Sequence, residues 1–64
     1  MEELKHHEIR GMKTSELLIN FIDMKLFKKY LNDNFPQARD GDTMGICQGN
    51  IERMAREIDN RIPR

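Results

Sequence analysis

The side chains able to do chemistry in this chain are few. His6 and His7 are adjacent. On a helix they diverge by about 100°, so they cannot grip one metal together, and an exposed pair is expected. Cys47 is the one cysteine. It falls where a helix begins, and a helix N-terminus can lower a thiol pKa. No histidine stands near it in sequence to act as a base, so a small packing or surface residue is expected. The run Asp40-Gly41-Asp42-Thr43-Met44-Gly45 echoes the opening of a calcium loop. Met44 and Ile51 then occupy positions that require oxygen ligands, so the match fails. No nucleophile, base and orienting group come within motif spacing. Neither catalysis nor a metal or cofactor is expected. What remains is recognition chemistry: Gln48, Asn50, Glu52, Arg53 and Arg56 offer amides, carboxylate and guanidinium along one stretch, and Lys25, Lys28 and Lys29 form a basic cluster earlier. The plain alternatives are i,i+4 pairing of the arginines with Glu52 or Glu57 and a solvated lysine face.

These residues need elements to hold them. Residues 1–10 could form a short helix ending at Gly11, but their apolar positions are chiefly Leu4 and Ile9, so residues 1–13 read as a frayed, flexible arm preceding a single helical domain over 14–64. Thr14 or Ser15 suits an N-cap, with Glu16 in the first turn. From Ser15 to Asn34 the composition favours helix. Leu17, Leu18, Phe21 and Ile22 group on one face, while Met24, Phe27, Tyr30 and Leu31 group on another. One straight helix would be apolar nearly all round, which a small soluble chain can bury only between partners. A break at Asp23 is the simpler expectation, with Asp23 as N-cap and Ile22 and Phe27 as a hydrophobic staple. The alternative is a continuous helix whose two faces serve two partners, as in a dimer core.

After Pro36, the aspartates and Gly41 allow two helical turns at most. The clearest element runs from Cys47 to about Arg61. Ile51, Met54, Ile58 and Ile62 recur at spacings of three and four, and Pro63 follows. The segment from Gln37 to Met54 meets the requirements of a helix-turn-helix. Gly41 is small where two helices would cross, Gly45 suits a turn residue with φ > 0, Met44 and Ile46 flank it, and Ile51 with Met54 forms an inward stripe.

Thr43-Met44-Gly45-Ile46-Cys47-Gln48-Gly49-Asn50-Ile51-Glu52-Arg53-Met54 resembles the turn and recognition helix of small prokaryotic and phage helix-turn-helix regulators of the Cro and Fis types. The resemblance covers about residues 35–62 and is specific at Gly45, Ile46, Gln48 and Ile51. It departs from the pattern at Asp40, where such proteins bury an apolar residue. It implies that Gln48, Asn50, Glu52, Arg53 and Arg56 face the major groove, where amides pair with adenine, guanidinium with guanine and carboxylate with cytosine. Lys25, Lys28 and Lys29 would then contact phosphates. A homodimer on two half-sites is implied, with Leu17, Leu18, Phe21 and Ile22 as the dimer or partner face.

Size and charge set the frame. At 64 residues, 38% hydrophobic and 34% charged, with one cysteine, the chain suits one small domain with no internal disulfide, stabilised by packing or association. No stretch approaches the ~20 apolar residues of a membrane span, and a cytoplasmic location is expected. The zero net charge argues against a general polyanion binder. It is, however, a sum of residues 1–23, with three basic and five acidic groups, and residues 24–64, with eight and six. The expected fold is all-α, three to four helices with a helix-turn-helix-like C-terminal half. The expected function is duplex DNA-binding regulation. A small helical protein-interaction protein, such as an inhibitor, anti-repressor or adaptor, is the alternative.

Overall fold

A computed structural model describes residues 2–35 and 41–63. The described residues form three helices and no strand: α1, His6–Arg10; α2, Thr14–Asn34; and α3, Asp42–Arg61. The all-α expectation holds.

The expected break at Asp23 is absent. Helix α2 runs unbroken for 21 residues, about 31 Å at 1.5 Å per residue. Nothing between Thr14 and Asn34 breaks a helix, since the stretch holds neither glycine nor proline. The staple spacing around Asp23 therefore describes the helix interior. Phe35, with φ −134° and ψ 68°, ends the helix because the residue before a proline is pushed out of the α region.

Tertiary packing regroups the apolar residues of α2. Leu17 is fully buried, Phe21, Met24 and Leu31 are half-buried, and Lys28 lies on the same side. These positions, spaced four, three, four and three apart, trace one stripe along the helix. Leu18, Ile19, Ile22, Leu26 and Tyr30 are exposed and lie on roughly the opposite side.

Helix α3 begins earlier than the hydrophobic spacing implied. Gly41 is its extended N-cap and Asp42 its acidic first-turn residue, a favourable charge at that end. Gly45 is therefore helical. No described residue has positive φ, so the structure holds no turn at Gly45. Ile9, Leu17 and Met54 form the core, with Leu4, Met12, Phe21, Met24 and Ile58 packed against it. Met44, Cys47 and Ile51 bury the rest of the α3 stripe.

The N-terminal segment read as frayed is docked in the structure. Ile9 sits in the core at 1% exposure. A five-residue helix is too short to stand alone in water, and Arg61 supplies much of what holds α1. Its Nη2 donates to the carbonyls of Ile9 (3.4 Å) and Arg10 (3.1 Å), and its Nη1 donates to Thr14 Oγ1 at 3.3 Å. Its Nε pairs with Glu57 at 3.0 Å.

Candidate functional site

The polar run of α3 splits between two roles. Asn50 lies on the same side of the helix as Cys47, Ile51 and Met54 and is fully buried. Burying a carboxamide is costly unless it is hydrogen-bonded. Residues 2–4 supply the partners: Leu4 N donates to Asn50 Oδ1 at 2.8 Å, and Asn50 Nδ2 donates to the Glu2 carbonyl at 3.2 Å. The side chain of Asn50 thus pairs with the backbone of the N-terminal segment much as a neighbouring strand would.

Arg53 completes the attachment. Its Nε donates to the Leu4 carbonyl at 2.8 Å, and its Nη2 donates to Asn50 Oδ1 at 3.2 Å and meets Glu3 at 3.3 Å. Gly49 makes room for it, since a Cβ there would stand 3.2 Å from Arg53 Nη2. Two of the five residues expected to face base edges are therefore committed elsewhere. Asn50 has no surface to offer a base, and Arg53 is tied to the chain's own backbone.

Gln48 accepts a hydrogen bond from Lys28 and donates to Glu52 Oε1 at 3.0 Å. Glu52 and Arg56 are exposed on α3. The three lysines divide likewise. Lys28 bridges α2 to α3, Lys25 lies 5.3 Å from the centre of the Phe21 ring, and Lys29 is exposed. Lys28 thus shares a surface with Gln48 and Glu52, while Lys25 is turned to the Phe21 ring.

Of the expected dimer face, Leu17 belongs to the core and Phe21 is half-buried; Leu18 and Ile22 remain outside. The structure adds Ile19, Leu26 and Tyr30, at 60%, 60% and 54% exposure, beside Ile22 at 55%. Ile19, Ile22, Leu26 and Tyr30 recur at spacings of three, four and four, the signature of an apolar helix face. This second stripe was hidden because both stripes interleave in one helix. Along its flank runs an open groove of about 210 Å³ lined by Asn20, Asp23, Met24 and Phe27. Tyr30 meets Phe35 edge-on at 5.9 Å at the end of the stripe.

Cys47 is buried, and its thiol donates to the Met24 carbonyl at 3.6 Å. Burial pushes its pKa above the ordinary thiol value, with Lys28 pulling weakly the other way. This is a packing cysteine at the α2–α3 contact. Among the described residues no group of three or more His, Cys, Asp or Glu side chains could hold a metal, and no helix is long and apolar enough to cross a membrane. Comparison with protein families, curated proteins and solved structures finds no match to this chain.

Proposed function

We propose that this chain is a small protein-interaction module that works through the outer stripe of α2, with a second copy of itself as the partner. The observation that carries the reading is the unbroken α2. Its inner stripe meets the α3 core, while Leu18, Ile19, Ile22, Leu26 and Tyr30 face outward. A contiguous apolar helix face of this kind marks an interaction site.

The charged edges favour a like partner. Lys25 and Lys29 flank one side of the stripe, and Glu16 and Asp23 flank the other. Two copies related by a twofold axis, with their α2 helices side by side and running the same way, set each basic edge against the other's acidic edge. Such flanking pairs set partner choice in paired helices.

The affinity is modest. Full burial of such a side chain is worth about 2 kcal/mol, so five half-exposed ones per chain give roughly 10 kcal/mol per pair. Association costs about 4–15 kcal/mol, which leaves at most about 6 kcal/mol and a dimer of tens of micromolar or weaker. The alternative reading, a duplex-DNA regulator, draws less support, because Asn50 is buried and Arg53 is engaged.

Sedimentation equilibrium over a wide concentration range tests the proposal. A concentration-dependent dimer is expected, abolished by Ile22→Glu with Leu26→Glu while helical content persists. A chain that stays monomeric at millimolar concentration, or a dimer indifferent to both substitutions, refutes it.

A further inference from the structure

Two adjoining cavities open between α1 and α3, away from the α2 stripe. The first, about 220 Å³, is lined by His6, Gly49, Glu52, Arg53 and Arg56. The second, about 210 Å³, is lined by His6, Arg10, Arg53, Arg56, Glu57 and Asn60. His6, Arg53 and Arg56 are common to both.

Three guanidinium groups and an imidazole thus converge on one cleft in a chain of zero net charge. The two carboxylates at its edge are already engaged, Glu52 by Gln48 and Glu57 by Arg61, each at 3.0 Å. Arg53 is held in place by the Leu4 carbonyl and Asn50 and carries Glu3 at its Nη2. Among the described residues, the side chains of Arg10, Arg56 and His6 have no hydrogen-bond or ion-pair partner. Gly49 keeps the floor of the first cavity open beside Arg53.

We propose that this cleft binds a phosphate group, with Arg10 and Arg56 as the principal ligands and Arg53 as the fixed guanidinium beside them. Guanidinium is the group that suits a phosphate, because its planar fork can give two parallel N–H donors to two oxygens. Like charges brought together at a protein surface repel one another, and a bound dianion relieves that repulsion. Arg10 and Arg56 approach the cleft from different helices, so they can reach opposite sides of one tetrahedral group.

The test is titration of the full chain with inorganic pyrophosphate, followed by amide and arginine side-chain NMR, against sodium chloride at matched ionic strength. Saturable shifts at residues 6, 10, 49, 53 and 56 are expected, with a dissociation constant of about a millimolar or tighter. Arg10→Gln with Arg56→Gln should weaken binding by about tenfold or more. Both residues are exposed, so the fold should survive, and an unchanged circular dichroism melt checks this. Arg10→Lys with Arg56→Lys should restore only part of the affinity, since the charge returns without the fork.

A short DNA duplex run in parallel identifies the source of the phosphate. Shifts at the same residues, lost in the same double variant, assign it to a nucleic-acid backbone. Pyrophosphate binding without duplex binding assigns it to a small phosphorylated molecule. Linear, non-saturating shifts, shifts equalled by chloride, or binding unaffected by the double variant overturn the proposal.

Discussion

Replacing Gly45 by alanine separates the observed helix from the turn that the local sequence resembles. Gly45 lies four residues into α3, and a Cβ built there meets nothing within 4 Å. Glycine inside a helix costs roughly 0.5–1 kcal/mol relative to alanine, because more backbone freedom is lost on folding. Gly45→Ala should therefore stabilise the chain by about that amount, and 1 kcal/mol in a domain of this size shifts the melting temperature by about 4–8 °C. Gly49→Ala is the internal control. It brings the same backbone gain, but its Cβ would press on Arg53 Nη2 at 3.2 Å. Arg53 is bonded to the Leu4 carbonyl and to Asn50 and cannot retreat freely. Weakening one such charge-assisted bond costs about 1.5–3 kcal/mol, enough to cancel the gain. Thermal and urea melts of the two variants beside the parent should thus rank Gly45→Ala highest and Gly49→Ala at or below the parent. A loss of more than about 1 kcal/mol in Gly45→Ala refutes the helical assignment, because alanine is penalised at a position of positive φ.

Asn50→Ala removes the hydrogen bonds to Leu4 N and the Glu2 carbonyl. A net worth of about 1 kcal/mol per bond, plus partial loss of the Arg53 anchor, gives a destabilisation of roughly 2–3 kcal/mol. Hydrogen exchange should show the Leu4 amide losing its protection, and a change below about 0.5 kcal/mol would mean that the segment is not docked. Cys47 gives a pH prediction. Its folded-state pKa is raised by burial, so the unfolded thiol ionises first. Its contribution to stability is full below the unfolded pKa and is lost as pH rises through the folded one. Urea midpoints should fall on the alkaline side of neutrality more steeply in the parent than in Cys47→Ala. A thiol reagent should react slowly at neutral pH, and fast labelling would contradict the burial.

The parts legible in the sequence were those with a single periodicity. Ile51, Met54 and Ile58 sit on one side of an otherwise polar segment, so the middle of α3 and that part of its inward side can be read directly. Helix α2 carries two interleaved stripes, and grouping neighbours such as Leu17 with Leu18 joined a core residue to a surface one. The four-three-four-three series Leu17, Phe21, Met24, Lys28, Leu31 was obscured by the lysine within it. Asn50 differs for another reason: its residue type argues for the surface, whereas the structure buries it. Its position beside Ile51, three residues from both Cys47 and Arg53, put it on the edge of the buried side, and this was the available signal. Its partners, at Glu2 and Leu4, are 48 and 46 residues away, and no local pattern announces a contact over that distance. The beginning of α3 was missed because Asp42, a poor helix former in the interior, is favourable in a first turn.

The joint made by Arg61 has a bearing on timing. It fastens Ile9, Arg10 and Thr14 to a residue 47 to 52 positions later, and the clamp on Glu2 and Leu4 likewise waits for Asn50 and Arg53. During synthesis only the N-terminal residues Leu4, Ile9 and Met12 are present to meet the inner stripe of α2 as it emerges, and closing the long loop to the contacts made by α3 carries an entropic cost. The growing chain passes through a stage in which α2 lacks its main cover, the apolar side of α3. On the proposed pairing, a neighbouring copy that engages the outer side would shelter the helix until α3 arrives.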